Sequence, residues 1–142
     1  MKTIEQLLGA KNTDIWSIDP DGLIFDAITL MAEKEIGALL VIEDERVVGI
    51  LSERDYARKV LLRGRSSRET PVREIMTSDV IFATPDQTVE DCMTLMTHKR
   101  IRHLPVLSNG RLVGVISIGD LVKAVIADQQ ETIEQLESYI RG

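Results

Sequence analysis

The spacing of apolar residues alternates along this chain between that of an amphipathic helix and short continuous runs typical of buried strands. Residues 24–31 and residues 89–96 carry apolar side chains at i, i+3, i+4 and i+7, which predicts two amphipathic helices. Each window is followed by two short apolar runs, "ALLVI" with "VVGIL" and "LPVL" with "LVGVI", which predict paired strands. Asn109-Gly110 lies between the later two runs and is typical of a tight hairpin turn. The runs "SERDYARKVLL" and "SIGDLVKAVIA" then return to helical spacing. The repeating unit is therefore strand, helix, strand, strand, helix.

The chain is an internal duplication. Aligning Pro20 with Pro85 gives an offset of 65 residues, and residues 15–62 match residues 80–127 in this register without a gap. Roughly a third of these positions are identical, which is far more than chance keeps in one frame. The pattern predicts an α+β fold made of two copies of one β-α-β-β-α unit.

The repeat divides the chain into five predicted parts. We expect an N-terminal helical segment at 1–12, repeats at 13–62 and 76–127, a linker at 63–75, and a C-terminal helix at 128–142. Both terminal segments carry apolar side chains at helical spacing, Ile4 with Leu7 and Ile133 with Leu136 and Ile140. Neither can bury that stripe alone, so each is expected to pack against a core or another subunit.

Composition narrows the function classes. The 142 residues carry a formal net charge of −6, which argues against a nucleic-acid binder. A single cysteine, Cys92, excludes an internal disulfide framework, and no apolar run approaches the ~20 residues of a membrane span. With no signal-peptide pattern at the start, the chain is predicted to be cytoplasmic. No P-loop, metal-ligand spacing or nucleophile-base pair is apparent, so neither an enzyme nor a metal site is expected.

One polar frame occurs in both copies. "GILSERD" at 49–55 and "GVISIGD" at 114–120 share Gly-x-x-Ser-x-x-Asp, with Ser52 and Asp55 in the first and Ser117 and Asp120 in the second. As a local pattern, Ser-x-x-Asp caps a helix. Its retention in both copies favours a further role, because an Asp in the first turn of a helix can also accept hydrogen bonds from a ligand. The two interpretations are compatible.

The duplicated unit and this frame together resemble a tandem pair of cystathionine-β-synthase (CBS) domains. The resemblance extends from about residue 13 to residue 127, and "SERDYARKVLLRGRSS" with "IMT" is similar to stand-alone bacterial and organellar CBS-pair proteins. It implies two pseudo-twofold-related units that form clefts for adenine nucleotides. It also implies a homodimer, to which the terminal helices would contribute.

The resemblance implies phosphate contacts that differ between the copies. Family residues that match Arg102 and His103 reach nucleotide phosphates, whereas the first copy has Gly37 and Ala38 at these positions. The cleft of Asp120 is therefore expected to be the stronger phosphate site. A solvated helix end is the alternative interpretation of this basic run. The candidates in the second copy are Lys99, Arg100, Arg102 and His103, and those in the first copy are Arg54 and, beyond it, Arg58, Arg63 and Arg65.

The adenine slot is also implied by the resemblance. It would be lined by Ile15, Trp16, Gly37, Ala38, Val80, Ile81 and Leu104. Trp16 has alternatives, because a lone Trp at a strand start can equally pack in the core or at a subunit contact. The arginines and serines of "RGRSSRET" at 63–70 either form a plain connector or close over a diphosphate.

These observations predict a regulatory module that binds an adenine nucleotide and alters a partner, with an enzyme acting in trans as one candidate. AMP is the first ligand candidate, with ATP, ADP, NAD and S-adenosylmethionine as alternatives. A second hypothesis is a dimeric scaffold with vestigial clefts, and a weaker third is slow turnover of the bound nucleotide. Stabilisation by a nucleotide panel separates the first two.

Overall fold

A computed structural model describes residues 2–10 and 14–141 of the chain. The expected limit between the N-terminal segment and the first repeat, at residues 12 and 13, lies outside the described residues. The chain separates into two compact units, a first unit of Ile15–Val80 and a second unit of Met1–Asp14 with Ile81–Gly142. The helices are α1 (Ile4–Ala10), α2 (Ile24–Lys34), α3 (Glu53–Tyr56), α4 (Val89–Lys99) and α5 (Ile118–Arg141). The strands are β1 (Ser17–Ile18), β2 (Ala38–Glu43), β3 (Arg46–Ser52), β4 (His103–Ser108) and β5 (Arg111–Ser117).

The predicted strand pairs are confirmed, and they match in detail. β2 pairs antiparallel with β3, and β4 with β5, each with a shift of register after the fourth pair. The second hairpin turns through Asn109 and Gly110 with φ of 52° and 78°, and the first turns through Asp44 and Glu45 with φ of 51° and 64°. Both turns therefore use the left-handed region that suits the twist of a two-residue hairpin. The first unit reaches it without glycine.

The first predicted strand forms to different extents in the two units. In the first unit β1 pairs parallel with β2, which gives the sheet order β1-β2-β3. In the second unit the equivalent chain makes a single parallel bridge between Ala83 and Val106. Because Ala83 is fully buried and both its N–H and its carbonyl bond to β4, this bridge positions the chain as β1 does.

Each unit is completed by a segment from outside its own repeat. In the second unit, α1 packs against the second repeat, where the Ile4 N–H donates to the Gln87 carbonyl at 2.8 Å and the Val89 N–H to the Lys2 carbonyl at 3.0 Å. Ile4 is fully buried there, and Leu7 and Leu8 are nearly so. The stripe of the N-terminal segment is thus buried within one chain.

Residues 70–76 play the same part in the first unit. The Val72 N–H donates to the Gly22 carbonyl at 2.8 Å, and the Ile24 N–H to the Thr70 carbonyl at 2.9 Å. Val72 and Ile75 are buried in the first core. Residues 2–8 and 70–76 are therefore equivalent, with an offset of 68 residues. The sequence alignment of the repeats, which used a constant offset of 65, did not match these two segments to one another. The second half of the expected linker is part of a core.

The last helices of the two repeats differ. α3 continues into one π-helical stretch, Ala57–Leu61. Its counterpart α5 runs without interruption from Ile118 to Arg141, so the expected repeat end at 127 and the C-terminal helix from 128 lie in one helix. The stripe of Ile133, Leu136 and Ile140 is exposed on that helix.

Candidate functional site

The Ser-x-x-Asp frame of the first unit forms a closed network. The Asp55 N–H donates to Ser52 Oγ at 3.1 Å, while the Ser52 N–H and Oγ–H donate to Asp55 Oδ2 at 3.0 and 3.1 Å. Asp55 Oδ1 lies 3.1 Å from Lys59 Nζ and 3.5 Å from Thr77 Oγ1. The expected cap is therefore present, and both carboxylate oxygens are engaged.

The second unit repeats the cap. The Ser117 N–H donates to Asp120 Oδ2 at 2.8 Å, and the Asp120 N–H donates to Ser117 Oγ at 3.2 Å. Both side chains are half-buried. Since β5 ends at Ser117 and α5 begins at Ile118, strand and helix meet at this network. In the first turn of α5, the N–H groups of Ile118 and Asp120 are thus bonded to the Arg102 carbonyl and to Ser117 Oγ.

The strand before each frame lies directly beside it. His103 pairs with Ser117 across β4 and β5, and the Ile118 N–H donates to the Arg102 carbonyl at 2.9 Å. In the first unit Ala38 pairs with Ser52, and the Glu53 N–H donates to the carbonyl of the residue before Ala38 at 3.0 Å. The structure therefore brings the predicted residues 102 and 103 together with Ser117, and residues 37 and 38 together with Ser52.

The charge beside the two frames is different. Arg102 is exposed and His103 is half-buried, and both follow α4, whose last turn carries Lys99 and whose left-handed cap is Arg100. Three basic side chains and one histidine thus lie within residues 99–103, between the end of α4 and the start of β4. Gly37 and Ala38 offer no such charge. The residues beside the two frames therefore differ in charge.

Other predicted residues of the first unit have partners of their own. The Trp16 ring is exposed, with Lys34 Nζ 4.2 Å from its centroid, so it lies outside the core of this unit. Arg65 Nη2 bonds to Glu74 Oε1 at 2.7 Å. Arg54 is exposed and Ile15 is half-buried.

The remaining members of the expected adenine slot are distributed over the two units. Val80 is half-buried at the end of the first unit. Ile81 packs against the core of the second unit, and Leu104 is fully buried in it. The Leu104 side chain therefore belongs to the core of the second unit.

Two contacts of Asp55 were missed by sequence reasoning. Lys59 lies four residues after Asp55, a spacing that itself signals an ion pair on a helix. Thr77 comes from a distant part of the chain and carried no such signal, because its approach depends on the bridge between Ile50 and Thr77. The half-buried Asp55 carboxylate thereby gains a cation that the repeat pattern did not predict.

The cysteine lies in the core of the second unit. Cys92 is fully buried on α4, and burial, with a smaller effect of the Asp91 charge, raises the pKa of its thiol to about 11. Among the described residues, no cluster of three or more His, Cys, Asp or Glu side chains is arranged to hold a metal ion. The helices of the described part are also too short or too polar to cross a bilayer.

A surface depression lies elsewhere in the second unit, between α4 and α5. Its volume is about 430 Å³, and it contains none of the predicted ligand residues. It is lined by Glu90, Val125, Asp128, Gln129, Thr132 and Ile133.

Comparison with known proteins finds one domain family twice in the chain. The CBS domain model matches twice, at residues 7–62 and 72–127. The CBS domain-containing protein CBSX3 of Arabidopsis thaliana, named as mitochondrial, is 42% identical over 127 residues, which cover 86% of this chain and 62% of that protein. YhcV of Bacillus subtilis is 34% identical over 109 residues, which cover 77% of each chain. The chain thus spans less than two thirds of the Arabidopsis relative.

Solved structures of similar chains share the fold. A CBS-domain protein of Burkholderia ambifaria has 54% identity and a TM-score of 0.88, covering 90% of this chain and 96% of that chain. ATU1752 of Agrobacterium tumefaciens has 39% identity and a TM-score of 0.83, covering 87% of this chain and 98% of that chain.

Proposed function

Because the chain belongs to the CBS domain family, as two such domains in tandem, we propose that it is a regulatory protein that binds an adenine nucleotide at its second repeat. The observation that carries the proposal is the meeting of Arg102, His103 and the Ser117–Asp120 frame at one strand end. There a carboxylate suited to the ribose hydroxyls and basic side chains suited to phosphate lie on neighbouring residues.

AMP is the first ligand we propose. One phosphate matches the small number of basic groups beside Ser117, and ATP, ADP, NAD and S-adenosylmethionine present the same ribose and adenine. The CBS domain pair of protein MJ0100, which shares this fold at 22% identity and a TM-score of 0.79, was solved with 5′-methylthioadenosine and S-adenosyl-L-methionine.

A ligand panel with a matched pair of variants tests the site. Thermal unfolding with AMP, ATP, NAD and S-adenosylmethionine should show stabilisation that grows with ligand concentration as RT ln(1 + [L]/Kd). Asp120→Ala should weaken AMP binding by roughly 30- to 150-fold, since it removes charge-assisted hydrogen bonds. Asp91→Ala is the control, because it removes the same kind of capping carboxylate from α4, where Asp91 accepts from the Thr88 N–H, and touches no proposed ligand residue.

Equal losses of AMP binding in the two variants would contradict the proposal, because a lost helix cap would then explain the effect. Absence of stabilisation by any of the four ligands in the unmodified protein would contradict it directly. Incubation of bound AMP with analysis of products tests the expectation that the protein is not an enzyme.

A scaffold is the second candidate, and one observation favours it. Ser52 and Asp55 satisfy one another, as helix caps do without any ligand. A scaffold dimer would engage its partner through the exposed face of α5 and would show no response to nucleotides.

In either case we propose a homodimer that regulates a partner in trans. One CBS-domain neighbour of this fold, from a bloom-forming cyanobacterium, is described as hexameric.

A further inference from the structure

We propose that the first unit carries a site for the surface of an anionic lipid bilayer, on the turn that ends the last helix of its repeat. The site consists of Leu61 and Leu62 with the neighbouring Arg58 and Arg63, and these four residues are called the basic tip. All of the contacts that carry the inference lie within the first unit. The basic tip is independent of the nucleotide site, so experiment can contradict either one without the other.

The two leucines of the basic tip are held in water by an ordered turn. Leu61 and Leu62 are 62% and 78% exposed, whereas Val60 beside them is 1% exposed and belongs to the first core. The Leu62 N–H donates to the Ala57 carbonyl at 3.0 Å. The Arg65 N–H donates to the Val60 carbonyl at the same distance. Because these bonds close the backbone of the turn, the leucines form an apolar surface that exists before any partner binds.

The turn projects from the first unit. Residues 61–66 are all exposed. Gly64 has a φ of 66°, and a Cβ on it would meet nothing within 4 Å. The leucines therefore lie on a convex tip rather than in a groove. A convex tip suits a surface that can deform around it, as the headgroup layer of a bilayer can.

Positive charge surrounds the leucines. Residues 54–68 carry six basic side chains and one carboxylate, although the whole chain has 17 basic and 23 acidic side chains. Lys59 and Arg65 already pair with carboxylates of their own unit. Arg58 and Arg63 are exposed, and within the described part of the chain neither pairs with a carboxylate. These two guanidinium groups are thus available to phosphate on either side of the leucines.

The fold of the repeat does not require the basic tip. At the positions of Leu62 and Arg63, the second repeat has Ala127 and Asp128, and its helix continues without interruption to Arg141. One repeat therefore folds with a small and an acidic side chain where the other exposes a large apolar and a basic one. Helix formation does not explain the leucine and the arginine, which leaves binding as their role.

The composition of the basic tip favours a bilayer over an acidic protein. Protein interfaces concentrate their binding energy in Trp, Tyr and Arg, and Leu is under-represented there. The one aromatic side chain of residues 53–68, Tyr56, is half-buried and packs against the first core. A bilayer offers anionic headgroups to the arginines and an apolar layer beneath them to the leucines. Basic clusters with exposed apolar side chains bind such surfaces weakly and reversibly.

Co-sedimentation of the full chain with unilamellar vesicles tests the inference. The protein should bind phosphatidylcholine vesicles that contain about 30% phosphatidylserine at least tenfold more tightly than vesicles of phosphatidylcholine alone. About 0.5 M NaCl should remove most of the difference, because salt screens exposed charges. Joint substitution Leu61→Gln and Leu62→Gln should weaken binding at least tenfold, since their apolar area is no longer buried. Joint substitution Arg58→Gln and Arg63→Gln should weaken it about 30-fold, at roughly fivefold for each cation.

Two matched variants control for exposure and charge elsewhere. Tyr139 is 86% exposed on α5, and Arg46 is exposed at the start of β3. Tyr139→Gln and Arg46→Gln should leave vesicle binding unchanged. The midpoint of thermal unfolding should be nearly the same in all of these variants, because every substituted side chain is exposed.

Three results would overturn the inference. The first is equal binding to the two kinds of vesicle, or to neither. The second is a loss of binding in the control variants as large as that in the variants of the basic tip. The third is tighter binding of poly-L-glutamate than of anionic vesicles, because the basic tip would then be a site for an acidic protein.

Discussion

At the scale of single residues, the two repeats place the same frame in different surroundings. Ser52–Asp55 and Ser117–Asp120 are both helix caps, so the local pattern alone does not assign a ligand. The residues around them make the difference. Arg102 lies where the first repeat has Gly37, and Lys59 lies where the second has Ala124.

Arg102→Ala should separate phosphate recognition from nucleoside recognition. If the guanidinium contacts the phosphate, AMP affinity falls about 10- to 150-fold, since a hydrogen bond to a charged group is lost, while adenosine affinity is unchanged. Titration calorimetry with both ligands measures this. Arg111→Ala, at the first residue of β5 and far along the strand from Ser117, is the control and should change neither affinity. A parallel loss of adenosine binding would show that Arg102 supports the fold of the site instead.

Cys92 should react slowly in the native protein. Its pKa of about 11 leaves roughly a hundredth of the thiolate that a model thiol with a pKa of 9.0 would have at the same pH. Burial slows the reaction further. Labelling by a maleimide at pH 8, followed by mass spectrometry, should be complete in denaturant and nearly absent without it. Rapid labelling of the native protein would mean that α4 opens readily.

At the scale of elements, each unit has a glycine in the middle of a strand, Gly49 in β3 and Gly114 in β5, where another segment packs closely against the backbone. A Cβ on Gly49 would lie 2.5 Å from Met76 Sδ and 3.1 Å from the Thr77 carbonyl oxygen, and one on Gly114 would lie 2.7 Å from Leu8 Cδ2. Met76 and Leu8 belong to the segments 70–76 and 2–8, each of which completes the core of one unit. These segments thus pack directly against the strand backbone. This explains the glycine of the repeated frame without any ligand.

Gly49→Ala should therefore destabilise the protein by about 1–3 kcal/mol, as overpacking does when backbone must move. Chemical denaturation followed by circular dichroism measures the free energy of unfolding. Gly9→Ala is the control, because its Cβ would meet nothing within 4 Å in the helix α1 and should be neutral or slightly stabilising. If the two variants had equal free energies of unfolding, the Met76 side chain would be able to change its conformation without destabilising the protein.

At the scale of the whole molecule, the order of segments along the chain differs from their order in the cores. α1 precedes the first repeat but lies in the core of the second unit, and residues 70–76 precede the second repeat but lie in the core of the first. The last turns of α5 are exposed on all sides. α1 and the last turns of α5 thus contribute very unequally to the stability of the second unit.

Ile4→Ala should cost about 2–5 kcal/mol, as other buried large-to-small changes do, because Ile4 is fully buried. Ile133→Ala removes a similar side chain that is 54% exposed and should change the free energy of unfolding little in dilute protein. Denaturant titration at low micromolar concentration compares the two. A small effect of Ile4→Ala would mean that α1 is not part of the folded core.

The sequence alone determined the duplication, the order of helices and strands, the hairpin at Asn109-Gly110 and the capping role of Ser52 and Ser117. These follow from local periodicity and local hydrogen bonding, which neighbouring residues dictate. Tertiary structure decided the rest. The stretch between residue 8 and the first repeat is three residues longer than the stretch between residue 76 and the second repeat, so a gap-free alignment does not match residues 2–8 to 70–76. Only the packing shows that both segments complete a core. Thr77 reaches Asp55 across 22 residues of chain, a contact set by the fold of the whole unit and invisible to any local pattern.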